Sequence, residues 1–282
     1  MSQTIRILHA MAFVAVWMAL GWLFHLGAEA YLITGIPLCL IFQKWVRRQP
    51  LRTCWVRDSA HFRFDWITLL LAAGFLIIPV IDLVTTWSES RWSLRLYFVA
   101  TIVGAFGAAF ALRHFSKVAL RSLLLCLGTA GVFNGALIVL VALANHFMKH
   151  ESPPGSHHPL RMLGGQFFIL FPVCFMVEEV AFRGILDSHI HHPEDSASWL
   201  SPKSWGSAAL LSVLWGWWHL PIVSTFHSVS ELIVLMIVLP MVMLVPGIAF
   251  SLFWRRTGNL AVPAFVHALI DAVRNVLIGV PS

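Results

Sequence analysis

The sequence predicts an all-α fold, a polytopic transmembrane helical bundle of about eight or nine spans, from its composition and from its recurring apolar runs. Of the 282 residues, 59% are hydrophobic and only 11% are charged. A soluble domain carries about 25% charged residues, so most of the surface of this protein must face lipid. The apolar runs have lengths near the roughly 20 residues that a spanning helix needs.

Nine apolar runs define the predicted helices, and too little polar sequence remains for a separate soluble domain. Their approximate bounds are 7–26, 30–46, 66–87, 93–112, 118–147, 165–189, 204–224, 230–253 and 257–279. The first run is long for a signal peptide and a second run follows directly, so we expect a retained first helix.

A break at 148–163, rich in proline, glycine and serine, divides the chain into two parts. Residues 1–150 are interpreted as scaffold helices, and 160–280 hold the residues with possible chemistry. We expect the two parts to form one integrated membrane domain.

The net charge of +6 is better explained by membrane topology than by nucleic acid, because the basic residues lie in short segments between apolar runs. With the N-terminus inside, twelve of the counted basic residues fall on the inner side and four on the outer side. The inner residues are Lys44, Arg47, Arg48, Arg52, Arg57, Arg63, Arg113, Lys117, Arg121, Lys203, Arg255 and Arg256, and the outer ones are Arg91, Arg95, Lys149 and Arg161. The count predicts an inside N-terminus and an outside C-terminus.

Three apolar runs of the second part each contain ionisable residues, which cost roughly 2.5–3.5 kcal/mol apiece at membrane depth. Such residues are functional candidates, and three sets together predict one shared polar cavity. They are Glu178, Glu179 and Arg183 in the first run, His219 in the second, and His267, Asp271 and Arg274 in the third.

Helical spacing assigns different roles to the two adjacent glutamates. Glu179 and Arg183 are four residues apart in the favourable order, which predicts a structural ion pair. Glu178 is rotated about 100° from Glu179 on an α-helix. Its expected neighbours on that face are Phe171, Phe175, Phe182 and Ile185. A carboxyl in apolar surroundings suits a general base, so Glu178 is interpreted as the chemical residue.

His267, Asp271 and Arg274 are predicted to form a chain of contacts along one helix. His267 and Asp271 share a helical face, so the carboxylate is expected to fix the tautomer of the imidazole or to stabilise its protonated form. Arg274, three residues further on, is expected to hold Asp271 ionised. The four cysteines are scattered without a C-x-x-C pair, which indicates neither a disulfide framework nor a cysteine zinc site.

In their order along the chain, these residues resemble the motifs of the CPBP family, which comprises CAAX-processing endopeptidases and bacteriocin-processing or immunity (Abi) proteins. The motif E-E-x-x-x-R is present from Glu178 to Arg183, and H-x-x-x-N/D is met by His267 and Asp271. The family's F-x-x-x-H appears with Trp215 in place of phenylalanine, before His219. The resemblance covers about residues 165–275.

The resemblance implies an intramembrane endopeptidase in which Glu178 and His219 activate water. It also implies that His267 and Asp271 stabilise the oxyanion, with Trp215 and Arg274 at the substrate cleft. The expected partners are the bilayer and a membrane-associated or lipidated protein or peptide, in a bacterial cytoplasmic membrane. No cofactor is expected to be required. A divalent metal such as zinc is the alternative, with Glu178, His219 and His267 as its ligands.

Two other functions remain open at this point. One is a non-catalytic immunity or scaffold protein that binds a peptide in the same cavity. The other is a transporter that relays protons through the same residues. The absence of an internal repeat makes the transporter the less favoured of the two.

Overall fold

The computed structural model of the protein describes residues 1–57, 65–86, 92–149, 159–191, 201–223 and 228–278. Within these ranges the chain is almost wholly helical, and the extended backbone amounts to one isolated bridge between Val56 and Asn259. The predicted all-α class is confirmed.

The helices follow one another along the chain, and three π-helical segments continue or join them. The α-helices are α1 (Gln3–Leu23), α2 (Ala28–Ile41), α3 (Trp66–Thr86), α4 (Trp92–Arg113), α5 (Lys117–Cys126), α6 (Val132–Lys149), α7 (Pro159–Val173), α8 (Ser188–Ile190), α9 (Pro202–Trp218), α10 (Leu220–Val223), α11 (Val229–Thr257) and α12 (Ala261–Ile278). The π segments are Phe42–Arg47 after α2, Leu127–Gly131 between α5 and α6, and Cys174–Asp187 between α7 and α8. A 3-10 turn covers Leu51–Cys54.

Seven helices in the described part of the chain are long and apolar enough to cross a membrane. They are Gln3–Leu23, Trp66–Thr85, Leu94–Arg113, Lys117–Ala144, Pro159–Ile190, Pro202–Val223 and Val229–Thr257. The other two predicted runs are also helical, as α2 with its π segment and as α12. The protein is therefore an integral membrane protein. Residues 150–158 of the predicted break, and Arg63 and Arg91 of the charge count, lie outside the described residues.

The helix α9 packs closely along α11, and α12 packs against α7 and its π continuation. Gly216 permits the first contact, because a Cβ atom at this position would lie 2.5 Å from the Cα of Pro240. These contacts bring the three helices that carry the predicted site residues to one place in the bundle.

A buried ion pair fixes the end of the segment Cys174–Asp187, which carries the two glutamates. The Nε atom of Arg255 in α11 donates to Oδ2 of Asp187 at 3.0 Å, and its guanidinium also donates to Ser204 Oγ at 2.8 Å. The side chains of Arg255 and Asp187 are 2% and 1% exposed. Because a buried charge is tolerated only when it is paired, this contact holds three helices in register.

Asn259 defines the start of α12. Its Oδ1 atom accepts the backbone N–H of Ala261 at 3.0 Å, and its amide donates to the carbonyl of Ala111 at 2.7 Å. Asn259 thus ties the first turn of α12 to the end of α4 and sets the position of His267 further along α12.

Candidate active site

Glu178 lies in the segment Cys174–Asp187 and faces a cavity. The indole Nε1 of Trp215 donates to its Oε2 atom at 3.0 Å. Its side chain is 14% exposed. Phe171, Phe175, Phe182 and Ile185, the apolar residues predicted for its face, are buried in the core and are not among the residues that line the cavity. The segment winds as a π-helix, in which i→i+5 bonding rotates successive side chains by less than 100°.

His219 follows the last residue of α9, and its ring orientation is fixed by its own helix. Its Nδ1 atom lies 2.8 Å from the carbonyl oxygen of Trp215. Because a carbonyl oxygen only accepts, Nδ1 carries the proton and Nε2 of a neutral ring is left as an acceptor. This Nε2 atom lies 3.9 Å from Glu178 Oε2.

His267 lies between three carboxylates, and Glu179 makes the shortest contact. The Nδ1 atom of His267 is 2.9 Å from Glu179 Oε1. Its Nε2 atom is 3.9 Å from Glu178 Oε2 and 3.6 Å from Asp271 Oδ2. Glu179, and not Asp271, makes the hydrogen bond that fixes the His267 ring. Asp271 lies within ion-pair distance of Nε2, which agrees with the other predicted role, stabilisation of the protonated imidazole.

The predicted pair of Glu179 and Arg183 is present at 3.4 Å between Oε1 and a guanidinium nitrogen. The side chains are 0% and 1% exposed. The guanidinium also lies over the ring of Trp215, 4.3 Å from its centroid. Glu179 therefore links Arg183 to His267, a connection that the sequence spacing does not reveal because His267 is 88 residues away.

Asp271 contacts Arg274, as the sequence predicts. The distance between Asp271 Oδ1 and the guanidinium is 2.9 Å, and Arg274 is 46% exposed. The other carboxylate oxygen faces Cys174, whose sulfur lies 3.8 Å from Oδ2. The arginine thus compensates the charge of Asp271 at one oxygen, while the second oxygen faces the interior.

All of these groups, except the buried pair of Glu179 and Arg183, line one cavity of about 520 Å³. Most of its wall is apolar, with side chains such as Leu137, Ile138 and Phe250. The cavity is also lined by Tyr97 and Asn134 from the first half of the chain, which no motif in the sequence signals. A largely apolar pocket with a few converging polar groups is typical of an enzyme site.

The N-terminal helices reach this site through Tyr31 of α2. Its hydroxyl donates to the carbonyl of Trp218, the residue before His219, at 2.9 Å. The indole of Trp17 in α1 donates to the carbonyl of Tyr31, also at 2.9 Å. Trp17 approaches so closely to Gly35 that a Cβ atom there would overlap its ring. Tyr31 is therefore a positioning residue for the end of α9.

Tyr31→Phe is expected to lower kcat about fivefold with little change in KM. The lost hydrogen bond is worth about 1 kcal/mol, and the freed end of α9 carries His219. Steady-state turnover of a substrate that binds in the cavity would measure this effect. Thr34→Val is the control, because it also removes a hydroxyl from α2. Among the described contacts, that hydroxyl donates to the carbonyl of Tyr31 and not to the end of α9. A kcat unchanged in Tyr31→Phe, or lowered equally in both variants, would contradict the positioning role.

The three groups predicted as ligands of a divalent metal do not fit one closely: among the described residues, ligand atoms that all lie within 4.8 Å of one another belong to Cys174, His267 and Asp271 instead. The Oε2 atom of Glu178 lies 3.9 Å from Nε2 of His219 and of His267. Both imidazoles turn Nε2 toward that oxygen, and their Nδ1 atoms are bonded elsewhere, as is common for metal-ligating histidines.

Residues 161–273 match the family model described as type II CAAX prenyl endopeptidase, Rce1-like. The match includes the three motifs and excludes α1 to α6. It confirms the family that the motifs indicated, and it supports a type II CAAX protease, which is a peptide hydrolase. No curated protein and no solved structure matches the chain.

Proposed function

Because residues 161–273 are a segment of the Rce1-like family of type II CAAX prenyl endopeptidases, we propose that the protein is an intramembrane endopeptidase. It hydrolyses a peptide bond of a membrane-associated or lipidated protein or peptide. The observation that carries the proposal is the convergence of Glu178, His219 and His267 in one largely apolar cavity.

Glu178 is the base that activates water. Its Oε2 atom accepts a hydrogen bond from Trp215, which fixes the carboxylate toward the two imidazoles. A water beside this oxygen also reaches Nε2 of His219, because the two atoms are 3.9 Å apart. Glu178 takes a proton from the water while the oxygen of the water attacks the scissile carbonyl. Glu178 later gives this proton to the leaving amine.

His267 stabilises the tetrahedral oxyanion. With Nδ1 held by Glu179 at 2.9 Å, a proton on Nε2 makes the ring a donor toward the cavity. A fixed donor in a site with little water stabilises a developing negative charge strongly. Asp271 does not oppose this role, because Arg274 compensates its charge at 2.9 Å.

The substrate lies along the apolar wall of the cavity, with Trp215 beneath the scissile bond and Arg274 at the exposed rim. The apolar lining suits the side chains of a peptide or an attached lipid chain. The polar groups converge at one part of this wall, so hydrolysis is limited to a bond positioned there.

We propose that no metal is required. The oxygen of Glu178 that faces both imidazoles already accepts a hydrogen bond from Trp215, an arrangement that suits a positioned base. A catalytic metal would have to be held by Glu178, His219 and His267 to supply Lewis-acid polarisation of the carbonyl, and these three are not among the groups whose ligand atoms lie within 4.8 Å of one another.

Extended treatment with a chelator is therefore expected to leave peptide cleavage unchanged. The assay compares purified protein before and after dialysis against the chelator, with total metal measured in the same samples. Loss of cleavage that returns with one equivalent of Zn²⁺ would contradict the metal-free mechanism.

We also propose a bacterial cytoplasmic membrane with the N-terminus inside and the C-terminus outside, from the excess of basic residues on one side of the predicted spans. A reporter enzyme that is active only on the outer side of the cytoplasmic membrane is expected to be active when fused to the C-terminus. Fluorescence from a fluorescent protein that folds only in the cytoplasm, fused at the same position, would contradict this orientation.

The proposal is tested by comparing protein termini in membranes that contain the wild type or Glu178→Gln at equal, folded levels. New termini that appear only with the wild type establish a protease and identify its substrates. Identical termini across several growth conditions would contradict it and would favour a peptide-binding immunity or scaffold protein.

A further inference from the structure

A thiol, an imidazole and a carboxylate meet in the wall of the cavity. The Sγ atom of Cys174, one ring nitrogen of His267 and one oxygen of Asp271 lie within 4.8 Å of one another. Asp271 Oδ2 is 3.8 Å from the sulfur and 3.6 Å from His267 Nε2. Ligand atoms of a tetrahedral zinc site are about 3.3–3.6 Å apart, since zinc–ligand distances are about 2.0–2.3 Å. The two separations that involve Asp271 are within a few tenths of an ångström of that spacing, and the sulfur and the ring nitrogen, within 4.8 Å of each other, need to approach by up to about 1 Å.

Neighbouring side chains already orient two of the three groups. Glu179 holds Nδ1 of His267 at 2.9 Å, which leaves Nε2 directed at the cluster. Arg274 holds Oδ1 of Asp271 at 2.9 Å, which leaves Oδ2 directed the same way. Metal-binding histidines commonly have their second nitrogen bonded to a carboxylate, as here, and ligating carboxylates are likewise hydrogen-bonded.

The donor set selects a particular class of ion. A thiolate with an imidazole and a carboxylate favours Zn²⁺ and similar thiophilic cations, whereas Mg²⁺ and Ca²⁺ prefer oxygen ligands alone. All three side chains line the cavity, so an ion can enter by the route that substrate and water use. Water can occupy the fourth position of a tetrahedral site on the cavity side.

We propose that Cys174, His267 and Asp271 form an inhibitory site for Zn²⁺ or a similar thiophilic cation. Binding releases the thiol proton to solvent, and the ion is held by the thiolate, by Nε2 of His267 and by Oδ2 of Asp271. The site differs from one built on Glu178 and His219 because it depends on the thiol. An ion there occupies the His267 nitrogen that faces the oxyanion, so hydrolysis stops; this inhibition, though not the binding, rests on the proposed function.

The binding test uses Co²⁺ as the probe with full-length protein in detergent. A thiolate bound to Co²⁺ gives a charge-transfer absorption in the near ultraviolet, whether or not the protein cleaves peptides. The band is expected in the wild type and in Cys126→Ser, whose thiol is buried in α5 and is not among the residues lining the cavity. It is expected to be absent in Cys174→Ser. A wild type without the band, or a Cys174→Ser protein that retains it, would overturn the proposal.

The inhibition test measures peptide cleavage against Zn²⁺ concentration, with each variant normalised to its own metal-free rate. Loss of an outer-shell partner typically costs about 10–100-fold in metal affinity, so loss of the Cys174 ligand should raise the inhibitory concentration at least tenfold. Cys126→Ser should match the wild type, and Asp271→Asn, which keeps the thiol, should retain a weakened Co²⁺ band. Equal inhibition of Cys174→Ser and wild type would overturn the inhibitory role. A normal Co²⁺ band in a protein that cleaves no peptide would uphold the metal site and remove the proposed function.

Discussion

Glu178→Gln is expected to lower kcat for peptide cleavage by about 10²–10⁴-fold, the usual contribution of a positioned general base. Glutamine keeps the size of the side chain and can still accept the hydrogen bond from Trp215, which is 3.0 Å from Oε2 in the wild type. It cannot take a proton from water. The loss should therefore fall on kcat, with KM nearly unchanged, and the unfolding temperature should stay close to that of the wild type.

The measurement is steady-state cleavage of a peptide that spans one of the termini identified in membranes. Glu231→Gln at the exposed start of α11 makes the same chemical change far from the cavity, and it should retain full activity. A Glu178→Gln protein that is folded and cleaves at more than a tenth of the wild-type rate would exclude Glu178 as the base.

Glu179→Gln is expected to destabilise the protein by about 3–5 kcal/mol, the usual cost of removing one partner from a buried ion pair. Arg183 is 1% exposed and lies 3.4 Å from Glu179, so the substitution leaves its charge without a carboxylate at that distance. Activity should fall as well, because Glu179 also holds Nδ1 of His267. Thermal and denaturant unfolding in detergent would measure the first effect.

A double variant separates the two effects of Glu179. Replacing Arg183 by methionine together with Glu179→Gln removes both charges, and such a replacement is often neutral for stability. The double variant should therefore recover much of the lost stability, while its cleavage rate stays low because His267 has lost its carboxylate. Recovery of both stability and activity would show that Glu179 acts only through Arg183. Equal activity losses in Glu178→Gln and Glu179→Gln, with both proteins fully folded, would contradict the division of roles between the two glutamates.

Part of the site could be predicted from the sequence because the relevant distances are short along the chain. The pair of Glu179 and Arg183 and the pair of Asp271 and Arg274 are separated by four and three residues, and both contacts are present. Helical spacing alone brings such side chains together. The winding itself could not be read from spacing: the angle of about 100° between Glu178 and Glu179 was predicted for an α-helix, whereas the segment Cys174–Asp187 is a π-helix.

The contacts that define the chemistry of the site are long-range, and no pattern in the sequence signals them. Glu179 meets His267 across 88 residues, Cys174 meets Asp271 across 97, and Tyr31 meets the Trp218 carbonyl across 187. Each depends on which helices pack together. In lipid, the partner of each helix is determined by van der Waals packing of complementary surfaces and by hydrogen bonds between helices. Apolar burial alone does not distinguish one helix partner from another.

The sequence by itself determined the membrane environment and the helical class, and it singled out the candidate site residues, because each follows from local composition or from motifs within one helix. A chain with so few charges must expose apolar surface to lipid, and ionisable residues inside such runs must converge on a polar cavity. Only the tertiary structure decided which carboxylate orients His267, that a cysteine stands beside it, and that the first two helices hold the end of α9. These are properties of helix packing, in which small residues such as Gly35 and Gly216 allow close approach and large rings fill the space that remains.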